Sequence, residues 1–470
     1  MTTTVVVIAT LLIILVTLIP TYVLSKKKQT SESDWAIADR SLPIYVVIGT
    51  QFASAMGGGV LVAHVGNAFK NGVGHTLYGI LAVLPFFCII FLAKWLRRNN
   101  YTTIPEILRT FTNGNKFVTI IAAFFTLIVP FGWVTSQITA FGNIYSSLTG
   151  IDYRVLCLAF AVISLLFVMP SGLKTVAWTD FIFSCFMCVI CLICIFHVTA
   201  LGGGVGNIVK NLNTQSTSYL SFGESLRDNI GIQTAILWIF AILPGGMTNQ
   251  IYYQRVCAID DEKKVNKSLV YSAIATILSF VWAVWMGLSI RSINPDAGAS
   301  PTAWYMTQLP MWLMGLFAAL IFATMMSTAS SGCQTAVMNI TRDIIPLISP
   351  NMDEKKLLRV SRILSLALIV IAILMCLVFT DTLTWLTATY AFSAAALACP
   401  IFVGYAMRKK NFVTTPGIIA GMIGGILGCA LGMILKTKVA YAAVGMGVSL
   451  ISMLVVCALT KNKGSLALED

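Results

Sequence analysis

The sequence predicts an all-α polytopic membrane protein with thirteen transmembrane helices. Three observations carry that reading. Hydrophobic residues make up 57% of the chain, charged residues only 10%, and the mean hydropathy is +0.86. Soluble domains carry about 25% charged residues, and a soluble core cannot hide this much apolar surface. Apolar segments of about 20 residues, the length that crosses a bilayer as a helix, recur along the chain. The basic residues collect in every second connection, as the positive-inside rule requires.

The elements follow in order. The first span, 4–24, lies within VVVIATLLIILVTLIPTYVLS and ends at Lys26, Lys27 and Lys28. It is long enough to span and lacks a small-residue cleavage site, so it is not read as a removable signal. The second, 42–68, holds ASAMGGGV in its middle, and 75–96, 117–147 and 153–170 are continuous apolar segments. The sixth, 176–201, begins near WTD, and the polar, Gly-rich stretch 202–227 follows it. The seventh, 229–253, contains LPGGMTNQ; 267–290, 311–338, 358–379, 382–406, 414–435 and 439–460 complete the set. With the N-terminus outside, 24 of the 31 basic residues, Arg255 among them, fall on the inner side. The C-terminus is then cytoplasmic and the protein a multi-pass plasma-membrane protein. The net charge of +13 is a topology signal rather than a nucleic-acid footprint. No soluble appendage of any size is expected.

Chemistry is sparse. The twelve cysteines sit in apolar segments, where a free thiol behaves as a small hydrophobe. Cys185, Cys188, Cys191 and Cys194 recur every third residue, but that step winds around a helix and cannot converge on one ion. His64, His75 and His197 lack metal-ligand spacing. A membrane enzyme would need a nucleophile–base pair or a metal cluster, and a sensor would need a signalling domain. Neither is expected.

Two spans are interrupted. Gly57, Gly58 and Gly59 break the second, and Pro244, Gly245 and Gly246 break the seventh, five spans later. Glycine and proline weaken a helix, and unpaired backbone at membrane depth is tolerated only where it is buried or lines a cavity. Two broken helices in corresponding halves point to a transporter site between inverted repeats. The ninth span adds ATMMSTASSGCQ, with Thr324, Ser327, Thr328, Ser330 and Ser331 close together. Single hydroxyls bond back to a carbonyl one turn earlier, but Thr324 and Thr328 stack at i+4, as do Ser327 and Ser331. Hard cations prefer oxygen ligands, and carbonyls at the Ala53–Met56 break complete an oxygen set. Asp180, an ionisable residue inside a span, is a functional candidate.

These residues resemble the sodium:solute symporter family. The resemblance rests on ADRSLP, GLKTVAWTD, NQIYYQR and MMSTASS…TRD, in that order over nearly the whole chain. It implies the 5+5 inverted-repeat fold of the bacterial leucine transporter with one extra N-terminal helix. The divisions are then 1–41 for that helix and its loop, 42–201 and 229–406 for the repeats, and 414–470 for two C-terminal helices and a tail. It also implies one or two sodium ions. The principal site would use the carbonyls of Ala53, Met56 and Thr324 and the hydroxyls of Ser327 and Thr328. A second would use Asp180, Ser327, Ser330 and Ser331. Arg40 matches an arginine at the inner mouth of the first broken helix and is the gating candidate.

Departures from the family narrow the solute. Ala55 stands where relatives carry an aspartate or a polar side chain, and Val60, Gly79 and Ala82 match sugar-holding positions. None can pair a sugar hydroxyl, which costs about 1–3 kcal/mol for each group left unsatisfied. Gly57, Gly58, Trp133, Gln137 and Trp238 are the substrate-binding candidates. Positive half-helix ends suit anionic groups, so a small carboxylate-bearing solute, an organic acid or amino acid, is expected. The expected function is sodium-coupled import by alternating access. Proton coupling and sugar transport on the same fold are the alternatives, with a membrane enzyme or a sensor ranked behind them. Expected partners are sodium, the solute and the bilayer, with no nucleic acid.

Overall fold

The computed structural model describes residues 2–25, 32–168, 172–298, 300–378, 381–410 and 412–460. Lys26, Lys27, Lys28 and the tail lysines Lys461 and Lys463, used in the topology reading, lie outside the described residues. Among the described residues the chain is helical throughout, with a single isolated parallel bridge between Leu42 and Ile259. That bridge ties the start of the first broken helix to the end of the second. Leu42 N donates to Ala258 O at 3.1 Å, and Asp260 N donates to Leu42 O at 3.0 Å.

Among the described residues ten helices are long and apolar enough to cross a membrane, and three shorter apolar helices, Thr3–Thr17, Ile44–Met56 and Tyr153–Phe167, fall at the other expected spans. The short one at Ile44 is short because the chain breaks where glycine permits. The helix Ile44–Met56 ends at Gly57, whose ψ of −167° leaves the helical region, and a π-helical stretch Gly59–His64 resumes it. The seventh span divides likewise into Ile232–Met247 and Gln250–Ala258, separated by Thr248 and Asn249. Asn249 caps the second half by accepting from Ile251 N at 3.1 Å, the arrangement that Asn favours at a helix start.

Burial then decides which helix is central. In Met311–Ile348 the most apolar stretch is 83% buried, against 28% in Tyr441–Thr460. The hydroxyl-bearing helix is therefore the hub, and Tyr441–Thr460 lies at the periphery beside Thr415–Ile434. Close approach of that outer pair to the core needs small residues, as membrane helix packing generally does. At Gly425 an added Cβ would lie 1.9 Å from the Ala395 carbonyl oxygen. The cysteine row winds as a helix dictates: Cys185 and Cys188 are exposed, Cys191 and Cys194 buried.

Candidate functional site

The first break meets the hydroxyl helix. Thr328 Oγ1 lies 3.0 Å from Thr324 O, 3.2 Å from Ser54 O and 3.5 Å from Ala53 O. Thr324 turns its own hydroxyl back to Ile321 O at 2.8 Å, so its carbonyl is the group it shares. Ala53 and Met56 are buried in the last turn before the break. Glycine is required at the next position: a Cβ on Gly57 would sit 2.4 Å from Thr328 Oγ1 and 2.6 Å from Gln137 Oε1. Gln137 in turn accepts from Gly58 N at 2.6 Å. The structure thus brings together backbone freed by the break and hydroxyls from a neighbouring helix, the donor set a hard cation takes.

Asp180 lies one layer away, with no exposed surface. Ser327 Oγ donates to Asp180 Oδ1 at 2.5 Å, Thr50 Oγ1 to Oδ2 at 2.6 Å, and Ser331 Oγ to Oδ2 at 3.2 Å. Ser330 does not bond the carboxylate but lines a cavity of about 10 Å³ beside it, with Ser327 and Thr179. That is room for roughly one water-sized species. Ser327 stands in both expected sodium groups and here faces Asp180.

Arg255 corrects the topology reading. The count of loop charges places it on the inner side, yet it is fully buried on the second half of the broken seventh span. Its Nη2 donates to Ser331 Oγ at 2.8 Å, Thr50 Oγ1 at 3.3 Å and Ser54 Oγ at 3.4 Å. Nη1 reaches Gln254 Oε1 at 3.2 Å. The guanidinium and Asp180 therefore share Thr50 and Ser331 as bridges. A buried charge is kept only when it is paired and hydrogen-bonded, and these hydroxyls supply the bonds. Thr50, Ser54 and Arg255 are the residues that sequence reasoning missed. The available signal was position: Thr50 and Ser54 are one turn apart just ahead of the break.

Beside the first break lies a cavity of about 60 Å³, lined by Gly57, Trp133 and Gln137 among the expected residues. Val60 and Ala82 line it too, as their match to sugar-holding positions implies, whereas Gly79 packs on Phe280, 2.8 Å from where its Cβ would stand. Trp133 Nε1 donates to Tyr390 Oη at 2.9 Å. Trp238 stands behind the wall, edge-on to Tyr78 with ring centroids 5.3 Å apart. Gly58 is likewise behind it, against the Met325 methyl and Ala140. Arg40 lies outside the cavity, half-exposed, with Nη1 2.5 Å from Asn100 Oδ1 and a positive φ of 55°.

The first broken helix meets the hydroxyl helix at a buried cluster of oxygens, and a cavity of about 60 Å³ lies beside the break. The chain belongs to the sodium:solute symporter family, whose model matches residues 35–425. It is 23% identical over 380 residues to a sodium/glucose cotransporter of Vibrio parahaemolyticus, covering 74% of this chain and 70% of that one. It is 23% identical over 415 residues to the sodium/proline symporter of Escherichia coli (strain K12), covering 84% and 81%. Other curated relatives are longer, and the chain spans 57% of their length. Among solved structures, a Na+-coupled sialic acid symporter in a substrate-bound outward-open state matches with a TM-score of 0.81 at 17% identity, covering 97% of this chain and 98% of that one. The family and these relatives are transporters, not enzymes.

Proposed function

We propose that the chain is a sodium-coupled symporter that imports a small carboxylate-bearing organic solute by alternating access. The observation that carries this reading is the meeting of Thr328 Oγ1 with the backbone of Ala53, Ser54 and Thr324, beside a cavity that Gly57 and Gln137 line. Sodium held by the carbonyls of Ala53, Met56 and Thr324 and the hydroxyls of Ser327 and Thr328 replaces these internal bonds. It then clips the broken helix to the hydroxyl helix and orders the solute site. A second sodium beside Asp180, Ser327, Ser330 and Ser331 shares Ser327 with the first, which couples the two. Arg40, bonded to Asn100 near the Leu42–Ile259 bridge, acts at the inner gate.

The proposed topology keeps thirteen spans in the plasma membrane, the N-terminus outside and the C-terminus cytoplasmic, with repeats at 42–201 and 229–406. The basic-residue asymmetry supports it without Arg255, whose buried guanidinium no longer counts as a loop charge. The membrane potential contributes about 2.3 kcal/mol per charge per 100 mV, and two sodium ions with a monovalent anion leave net positive charge moving inward. Uptake into proteoliposomes tests the reading: an inward sodium gradient should drive accumulation of a small carboxylate. Accumulation driven equally by a proton gradient in sodium-free buffer would refute sodium coupling.

A further inference from the structure

His64 and His75 form a buried pair that no part of the sodium reading uses. His64 Nδ1 lies 2.8 Å from His75 Nε2, and the His64 ring lines the 60 Å³ cavity. Both rings are enclosed, 3% and 0% exposed, by Tyr78, Phe280 and Trp238. Two hydroxyls on the same wall have no hydrogen-bond partner among the described residues: Tyr78 Oη, which faces Thr387 without a bond of good geometry, and Thr276 Oγ1.

The pair has a direction. A neutral imidazole carries one N–H, and a single proton lies between His64 Nδ1 and His75 Nε2. The outer nitrogen of His75, Nδ1, is buried without a partner. An orphaned buried N–H is rarer than an orphaned acceptor, so His75 Nδ1 is the bare lone pair. His75 then donates from Nε2, His64 accepts at Nδ1, and the His64 proton sits on Nε2, the nitrogen left for the cavity. His64, Tyr78 and Thr276 thus present three donors to one space.

Among the described residues, the acceptors on that space are neutral oxygens, none of them a carboxylate. Gln137 Oε1 takes Gly58 N–H, while the Ser136 and Thr328 hydroxyls donate to backbone carbonyls. No Asp, Glu, Lys or Arg lines the cavity among the described residues. An ammonium group would meet no acidic side chain, and a second carboxylate would meet no cation. Aromatic and aliphatic walls from Trp133, Phe280, Ile242 and Leu386 complete it.

We propose that His64, oriented by His75, together with Tyr78 and Thr276, binds the carboxylate of a small monocarboxylate that carries no ammonium group. This deepens the transport reading above, rests on it, and narrows its solute to exclude amino acids.

The test uses the full chain in lipid nanodiscs with sodium, probed with propionate, pyruvate, succinate and L-proline. Propionate and pyruvate should bind in a sodium-dependent way, and succinate and proline should not. His64→Phe, Tyr78→Phe and Thr276→Val, which nearly keep side-chain volume, should each weaken propionate binding by about tenfold or more. Their sodium dependence should stay that of the wild type. Nitrogen-15 NMR of labelled histidine should find both His64 and His75 protonated on Nε2, and protons on both Nδ1 atoms would overturn the assignment. Sodium-dependent binding of proline but not propionate would overturn the inference while leaving sodium coupling intact. Binding of every probe without sodium dependence would instead overturn the transport reading. If His64→Phe does not fold, Tyr78→Phe and Thr276→Val decide: wild-type affinity in both would overturn the proposal.

Discussion

Replacing Arg255 with methionine should cost stability through Asp180, which it does not touch directly. Both groups are without exposed surface. Their link runs through Ser331, 2.8 Å from the guanidinium and 3.2 Å from the carboxylate, and Thr50, 3.3 Å and 2.6 Å. Removing one member of a buried ion pair costs about 3–5 kcal/mol, because the survivor is left uncompensated. The bridge is indirect, so the lower end applies: about 3 kcal/mol for Arg255→Met and about the same for Asp180→Asn. Removing both leaves no orphaned charge. The double variant should lose less than the sum of the singles by about 1–3 kcal/mol. Reversible unfolding of the four proteins in mixed micelles of sodium dodecyl sulfate measures the cycle. The lost contact to Gln254 appears in the single and the double variant alike and cancels. Arg255→Lys, which keeps charge but not the planar fork, should fall between wild type and Arg255→Met. Additive losses within about 0.5 kcal/mol would show that the two charges do not sense one another, and the reasoning would fail.

Further outcomes follow from the same geometry. Thr328→Ala removes the hydroxyl that bridges the break to its neighbour, so half-maximal uptake should need several-fold more sodium while the protein still reaches the membrane. An unchanged sodium response would remove Thr328 from the site. Gly57→Ala places a methyl 2.4 Å from Thr328 Oγ1 and should abolish sodium-driven uptake, whereas uptake at the wild-type rate would mean that the break is wider in the working protein. Asp180→Asn should lower the sodium Hill coefficient toward one and the charge carried per solute. A wild-type coefficient already at one would make Asp180 structural. Glucose and galactose should not compete with the solute, because Val60 and Ala82 offer the cavity no hydrogen bond, and strong competition by either would overturn that argument.

What the sequence made legible was periodicity and punctuation. Apolar length located the helices, and the first break falls at its glycine cluster; the second does not, since Pro244, Gly245 and Gly246 stay inside Ile232–Met247 and the helix stops only at Thr248 and Asn249, where the Asn249 side chain caps the next half. The i+4 pairing also carried through: Ser327 and Ser331 both reach Asp180, as residues on one helical face must. Rotation about each axis was not legible. Trp133 and Trp238 are both indoles on apolar helices, yet only one faces the cavity, since an all-apolar helix gives no polar side from which to set its angle. The π-helical stretch Gly59–His64 shifts register again, so a 3.6-residue count from the break mislocates whatever follows it. Of the three positions matched to the family without gaps, Val60 and Ala82 line the cavity and Gly79 faces Phe280 instead.

Charge was the least legible property. A count of loop charges treats every arginine beyond an apolar run as solvated, and for most of this chain that holds. NQIYYQR is the exception, since its two glutamines and its arginine all find buried partners. Gln250 Nε2 donates to Thr102 O at 2.7 Å, Gln254 Nε2 to Ala36 O at 2.6 Å, and Arg255 to the hydroxyls around Asp180. The second half of the broken seventh span is therefore a polar helix inside the protein, which hydropathy scores as its end. A broken span needs such a helix, because backbone leaving an interrupted segment at depth must be met by polar groups from somewhere. On this argument the polar run after a mid-span break is part of the transport machinery, and Arg255 belongs with Asp180 and the hydroxyl helix rather than with the cytoplasmic loops.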